Sequence, residues 1–343
     1  MRRLTFMTIF LAAASAASLA AEPPGRLDAE ALAKTIAPFI DEQTLLVVHA
    51  DLTRIDPNAA VDRFARLAGP LPAEQQCQIG AAKAMAGGIL RHLLAAGARD
   101  AFLVVSLADV PEEPLLIVVP LRQGADERAI RGLLYSGRPD GPTSRPDGPP
   151  GQGHARTQVT VLRGAVVRCN VSVLRRVEAM KPDLRSDLAK AFAAAGDSAI
   201  QAVLLPTDDN RRVLEEMMPE LPKEAGGGPI TAITKGLLWA ALGINGPPKA
   251  SLRLVIQSAD ADSAQAFAKA LDGIYAAIAA HKEVLHDVPE VGKLLTALRP
   301  TPSGDRLVLD LGPQAVDELL DGPVASAIRQ AMKKQPASQP AKP

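Results

Sequence analysis

Residues 44–52 read TLLVVHADL, and they form the first predicted strand of the chain. The run is short, rich in leucine and valine, and typical of a strand inside a sheet. A second run of the same kind, Ala199–Leu205, occurs in the other half of the sequence. Because similar patterns follow both runs, the sequence predicts two similar halves.

Each half is predicted to contain a strand, a helical connection, two strands, a helix, a hairpin and a closing helix. In the first half these elements are helices from Pro57 and over Ala73–Ala96, strands Ala101–Leu107 and Leu115–Leu121, helix Asp126–Tyr135, hairpin strands Thr157–Leu162 and Ala165–Cys169, and a helix capped by Asn170. In the second half they are helix Asp208–Met218, strands Gly236–Asn245 and Lys249–Gln257, helix Asp260–Ala280, a short helix from Pro289, hairpin strands Ala297–Thr301 and Arg306–Leu311, and helices from Pro313 and Pro323.

Strand-helix-strand-strand-helix-strand is the ferredoxin-like order. The predicted fold class is therefore α+β, with two similar ferredoxin-like halves (β-α-β-β-α-β-hairpin order) that indicate an internal duplication. The alternative is that any α+β chain can be divided into two similar lists of elements. A sheet with helices on one face needs its other face covered, either by the other half or by a partner.

The domain prediction follows these elements. Its segments are a signal peptide (1–20), a lead-in (21–43), a first half (44–196) with a Pro/Gly-rich loop (137–153), a second half (197–334) and a disordered tail (335–343). The loop contains Arg-Pro-Asp-Gly-Pro twice, and proline and glycine at that density prevent a helix or an inner strand.

The N-terminus has the pattern of a signal peptide. Met1–Arg3 is basic, Leu4–Leu11 is largely apolar, and Ser18–Ala20 places small residues where a signal peptidase cleaves. We expect cleavage after Ala20 and export to the periplasm or the exterior; an uncleaved anchor is the alternative. The longest later apolar run, Gly236–Ile244, is too short to cross a bilayer, so no stable membrane insertion is expected after signal removal.

Composition narrows the classes of function. The chain has 38 basic and 38 acidic residues and only 3% aromatic residues. Nucleic-acid binding requires a basic excess, and base stacking requires aromatic side chains. The sequence therefore predicts no nucleic-acid partner, and its expected partner is a protein or a component of the cell envelope.

The two cysteines, Cys77 and Cys169, allow a single pairing. Cys169 shares one face of a predicted strand with Ala165 and Val167 and is therefore predicted to be buried. Cys77 lies off the apolar stripe of its predicted helix. In an exported protein, both a disulfide and two free thiols fit this pattern.

Candidate catalytic residues are few. His49 and Asp51 share one face of the first strand, and a carboxylate beside an imidazole can orient it as a base. Leu45 and Val47 share that face, however, and no nucleophile motif completes a triad. The catalytic residues are thus unknown, and a structural histidine is the competing interpretation.

Candidate metal ligands are His281, His286 and Asp287. Five residues along a helix rotate the two imidazoles apart, whereas a helical zinc site uses a spacing of four. The sequence predicts neither a metal site nor a cofactor.

Two phrases carry a resemblance: Ile40–Thr44 leading into Leu46–Leu52, and Pro248–Ile256. They resemble exported proteins of unknown function from planctomycete bacteria. The resemblance covers the two strand-rich cores and implies no activity and no functional residues.

The first functional hypothesis is a non-enzymatic, exported binding or structural module. The alternatives are an exported hydrolase, with His49 and Asp51 as the first residues to test, and a small-molecule binder with its site between the two halves.

Overall fold

The computed structural model describes residues 28–109, 115–136, 157–223, 227–280 and 290–334. The predicted signal peptide, Pro/Gly-rich loop and C-terminal tail lie outside them. Within the described residues, ten strands form one sheet in which every pairing is antiparallel, so the α+β class is confirmed.

The strands are β1 (Thr44–Asp51), β2 (Asp100–Ser106), β3 (Leu116–Pro120), β4 (Thr157–Leu162), β5 (Ala165–Asn170), β6 (Ile200–Leu204), β7 (Trp239–Asn245), β8 (Ser251–Gln257), β9 (Thr301–Ser303) and β10 (Arg306–Leu311). The helices are α1 (Ala29–Ile36), α2 (Pro57–Ala68), α3 (Ala73–Ala95), α4 (Glu127–Ser136), α5 (Val171–Ala179), α6 (Ser186–Ala195), α7 (Asp208–Met217), α8 (Thr231–Thr234), α9 (Ala261–Ala280), α10 (Val291–Ala297), α11 (Pro313–Leu319) and α12 (Ala325–Lys334).

The strand order is β4-β5-β3-β2-β1-β6-β7-β8-β10-β9. Read outward from the centre, the strands of the first half have the order β1-β2-β3-β5-β4, and those of the second half have the order β6-β7-β8-β10-β9. The two halves therefore place their five strands in the same order. The central pairing joins β1 to β6, with Val48 opposite Ala202. The two series of strands therefore meet edge to edge in one sheet and do not stack as two sheets.

The strand order differs from the predicted ferredoxin-like order. In a split β-α-β unit, the two strands joined by a helix run parallel and enclose another strand. Here β1 and β2 are direct antiparallel neighbours, and so are β6 and β7. Two helices connect each of these pairs, so the chain reverses once more before it re-enters the sheet. The sequence prediction has two helices in the first connection and one in the second, but it treats both as a single helical crossing, and this gives the wrong order.

One face of the sheet, called here the first face, is covered across its centre by α1, α5 and α6. Val47, Phe102, Val203 and Ala241, one from each of the four central strands, are 0–1% exposed. They belong to the same cluster as Phe192 of α6. This cluster is the main hydrophobic core.

The opposite face, the second face, is covered towards its two sides. On one side, α3 and α4 pack against Val119 and Val166. On the other side, α8 and α9 pack against Ile256 and Leu307. The centre of the second face lies between these two helical groups.

Several helix ends follow local sequence signals. The side chain of Asn170 caps α5, and Pro57 and Pro313 lie in the first turns of α2 and α11, as predicted. The prediction that Pro323 begins a helix is wrong. Pro323 lies inside a π-helical turn, Leu320–Val324, that joins α11 to α12. Proline has no N–H to donate, and the wider π turn allows the helix to continue past it.

Candidate functional site

His49 lies at the junction of the two halves, on the first face of β1. Its side chain is fully buried and packs 4.9 Å from the ring of Phe102, measured between centroids. His49 Nε2 lies 3.0 Å from Asp100 Oδ1, and its Nδ1 lies 3.3 Å from Gln201 Oε1. The histidine thus connects its own half, through Asp100, to the other half, through Gln201.

Both ring nitrogens of His49 face oxygen acceptors. The Gln201 amide nitrogen donates to the carbonyl oxygens of Phe192 and Gly196, at 3.2 and 2.7 Å, so the amide oxygen is the atom that faces His49. Both contacts of His49 are hydrogen bonds only when each ring nitrogen carries a hydrogen.

Asp100 is the charged partner in this network. Burial by itself raises the pKa of Asp100, but hydrogen bonds from His49 and Arg122 outweigh burial and hold that pKa below its ordinary value. Arg122 Nη2 donates to Asp100 Oδ2 at 2.7 Å. The carboxylate is therefore shared between a buried imidazole and an exposed guanidinium.

Asp51, the sequence-predicted partner of His49, has a different role. Its Oδ1 accepts hydrogen bonds from Thr53 N at 3.0 Å and Thr53 Oγ1 at 2.6 Å, and it begins the short turn after β1. Asp100 on the adjacent strand takes the place that the sequence assigned to Asp51. The register of β1 and β2 determines which carboxylate reaches His49, because it places Asp100 directly opposite Asp51.

The His49 network is arranged for structure more than for catalysis. Catalysis by a general base requires a free nitrogen within reach of the substrate. His49 has both nitrogens engaged and no exposed surface. In this position His49 serves as a hydrogen-bond partner for buried polar groups on both sides of the central strand pairing.

The candidate metal ligands His281, His286 and Asp287 lie outside the described residues. Among the residues that the structure does describe, no group of three or more His, Cys, Asp or Glu side chains is placed to hold a metal ion. Across the same ranges, no helix has the length and apolar character needed to span a bilayer.

The two cysteines are free. Cys169 is buried in the first-face core, whereas Cys77 is exposed on α3, which covers the second face. The two cysteines lie on different elements and are not bonded to each other in this fold. Burial raises the pKa of the Cys169 thiol to about 11, with a further contribution from the nearby Asp109.

The centre of the second face carries a set of partly exposed aliphatic side chains, called here the aliphatic strip. Its residues are Leu46, Leu103, Val105, Ala202, Leu204 and Leu242. They come from β1, β2, β6 and β7 and are neighbours across the sheet, with Leu46 opposite both Val105 and Leu204. None of them belongs to the three hydrophobic clusters of the described residues.

A cleft of about 480 Å³ lies between α2 of the first half and two parts of the second half, the β7–β8 turn and α11. Pro247, Pro248 and Leu320 give it an apolar wall. Arg63 also lines it and pairs with Asp317 and Asp321, at 3.0 Å each. This ion pair ties the two halves together at the end of the sheet.

Arg66 also lines the cleft. It is exposed and has no ion-pair partner among the described residues. The guanidinium presents donors and a positive charge to any molecule in the cleft.

Sequence reasoning missed Asp100, Arg122 and Gln201. Gln201 gives a signal, because it is a polar residue inside the apolar run Ala199–Leu205. Asp100 and Arg122 give none, since only the pairing of β1 with β2 and β3 places them near His49.

Comparison of the chain with protein-family models, curated proteins and solved structures finds no match.

Proposed function

We propose that this protein is a non-enzymatic, exported binding module that holds an apolar partner on the aliphatic strip. One observation supports the proposal. The four central strands bury their first-face side chains almost completely, but they leave the second-face side chains of the strip partly exposed. Exposed apolar surface in a contiguous patch is typical of interaction sites.

The chemistry of the strip indicates the class of partner. Its side chains are purely aliphatic, and the backbone groups beneath them are paired in the sheet. A bound molecule therefore gains hydrophobic and dispersion contacts there and no hydrogen bonds from the strip. An aliphatic chain, or the apolar side of a larger molecule, is the ligand that fits this surface.

A fluorescent apolar probe, 1-anilinonaphthalene-8-sulfonate, tests the proposal on the folded mature chain. We expect the native protein to bind the probe and Leu103→Thr to weaken binding, because threonine is favoured in strands but is smaller than leucine and adds a hydroxyl to the strip. Circular dichroism checks that the variant remains folded.

Leu184→Thr is the matched control, since Leu184 is 53% exposed and lies outside the sheet, between α5 and α6. Equal loss of probe binding in the two variants, or no binding by the native chain, contradicts a role for the strip.

A second candidate function is binding of a small molecule in the cleft between the halves. Pro247, Pro248 and Leu320 line the cleft together with Arg66, which has no ion-pair partner among the described residues, and with Asp56, Asp62 and Asp317. Arg66 can pair with a carboxylate or phosphate on an apolar body. Thermal-shift screening of such compounds tests it: Arg66→Gln should abolish the shift, and Arg128→Gln, an exposed arginine on α4, should not.

Export is part of the proposed function and rests on the N-terminal sequence pattern. If the signal peptide is cleaved as proposed, mass spectrometry of the exported protein finds Ala21 as the first residue. Retention of Met1 supports an uncleaved anchor instead.

We also propose that the two halves arose by duplication. The support is the strand order, which repeats outward from the central pairing of β1 with β6. The hydrolase alternative has less support because His49 is buried and fully hydrogen-bonded. Screening the mature protein for hydrolase activity, followed by His49→Ala, is its test.

A further inference from the structure

The two outer strands of the sheet, β4 and β9, differ as edges. β9 has three residues, Thr301–Ser303, and one of them is Pro302. β4 has six residues, Thr157–Leu162, without proline and without a charged side chain. Natural sheets usually protect an edge by making it short, charged or proline-containing. β9 follows this rule, and β4 does not.

The register of the β4–β5 hairpin determines which backbone groups point outward. Leu162 and Ala165 flank a two-residue turn and form its closing pair. Hydrogen-bonded and non-hydrogen-bonded pairs alternate along an antiparallel ladder. Thr157, Val159 and Val161 therefore direct their N–H and C=O groups away from β5, and none of these groups is hydrogen-bonded to another described residue.

Val161 and Pro302 occupy equivalent positions in the two edges. Each is the second residue before a two-residue turn, and each lies opposite the second residue after it, Val166 and Leu307 respectively. Pro302 has no N–H and blocks a further strand on β9. Val161 offers an outward N–H at the same place and is 36% exposed.

We infer that β4 is a dimerisation edge, where a second copy of this chain pairs its own β4 antiparallel to the first. Strand addition at an exposed edge uses main-chain hydrogen bonds for affinity. In the symmetric register, Val159 lies opposite the same residue of the second copy, and Val161 lies opposite Thr157. The inference is independent of the proposed function, because β4 and the aliphatic strip are separate parts of the sheet.

Charge and composition favour a second copy as the occupant. β4 has no charged side chain, so two identical edges meet without like charges opposite each other. The mature chain, which lacks Arg2 and Arg3, has a formal net charge of only −2 and little long-range repulsion between copies. Pairs of valine and threonine are favourable across strands, and a twofold pairing closes on itself without forming a fibre.

Sedimentation velocity of the mature chain over a dilution series tests the inference. We expect a dimer that dissociates on dilution, because a single strand pairing is a small interface. Val161→Pro gives β4 the residue that β9 has, and Val161→Lys adds an edge charge; each should shift the protein to monomer. Val161→Thr is the matched control and should keep the dimer, since it preserves both the N–H and the β-branched side chain.

Thermal unfolding of each variant separates loss of pairing from loss of fold. If Val161→Pro unfolds, Val161→Lys still decides the question, because lysine keeps every backbone hydrogen bond of the hairpin. A native chain that is monomeric at all concentrations overturns the inference, and so does a dimer that persists in folded Val161→Pro or Val161→Lys.

Discussion

The two faces of the sheet are built from alternate residues of the same strands, yet they have different surroundings. On β1, Val47 and His49 are fully buried under α6, while Leu46 on the other face is partly exposed. On β2, Phe102 and Leu103 show the same contrast. The first face is core, whereas at the centre of the second face the strip residues are partly exposed around the buried Val48.

This contrast teaches that apolar side chains alone do not define a core. Both faces of the central strands are largely apolar, a pattern expected when a sheet is covered on both sides. The first face has its cover in α1, α5 and α6. Helices on the second face pack towards the two sides of the sheet and leave the aliphatic strip between them.

The largest expected effect comes from a matched pair of leucine truncations. Leu188 of α6 is 0% exposed in the first-face core, and Leu103 lies on the strip. Leu188→Ala should lower the free energy of unfolding by about 2–5 kcal/mol, because it leaves a cavity. Leu103→Ala should lower it by about 1 kcal/mol, because less area returns to water. Urea unfolding measures both values, and equal losses would show that the strip is as well packed as the core.

The pH dependence of the free energy of unfolding tests the role of the polar network on the first face. The pKa of Asp100 in the folded protein lies below its ordinary value of 3.8, so its ionised form favours folding. This stabilisation is fully present above the unfolded pKa and is lost as the pH falls through the folded pKa. At neutral pH, Asp100→Asn should lower the free energy of unfolding by about 2 kcal/mol. The difference in this free energy between the variant and the native chain should narrow below pH 3.8.

Asp209→Asn is the control for this measurement, since the Asp209 side chain is 78% exposed on α7. Its difference from the native chain should stay small across the same pH range. A constant difference for Asp100→Asn from neutral to acid pH contradicts the assigned ionisation of Asp100.

The smallest expected effect is a difference in reactivity between the two thiols, one of which is exposed and the other buried in the first-face core. Cys77 is exposed, while burial raises the pKa of Cys169 to about 11. Only thiolates attack disulfide reagents. Ellman's reagent should therefore titrate one thiol in the folded protein and two after unfolding, and none in folded Cys77→Ser. Rapid reaction of the second thiol without denaturant would mean that the first-face core opens easily.

The sequence predicts most strands and several helix ends, but it misses α1 and α6 and predicts the assembly of the sheet poorly. Asn170 caps its helix as predicted, and Pro57 begins one, because these signals act over a single turn. The partner of His49 is Asp100 and not Asp51, because strand register selects it. The ferredoxin-like order differs from the observed strand order for a related reason: whether one helix or two cross between strands sets the direction of the next strand, and the apolar pattern of the strands does not reveal it.

The candidate site was still harder to predict. The strip residues and the core residues are equally apolar in sequence, and only the positions of the helices separate them. Gln201 is the exception, because a polar residue inside the apolar run Ala199–Leu205 indicates a buried hydrogen-bond partner.

The central pairing of β1 with β6 has a consequence for how the protein is made. His49 and Gln201, which this pairing brings into contact, are 152 residues apart in the chain. A ribosome completes the first half long before β6 exists, so β1 has an open inner edge for much of synthesis. Contacts between residues so distant in sequence form slowly, and unpaired edges aggregate in the meantime. We expect the first half to aggregate when it is made alone. The first half completes its folding only when the second half pairs β6 with β1.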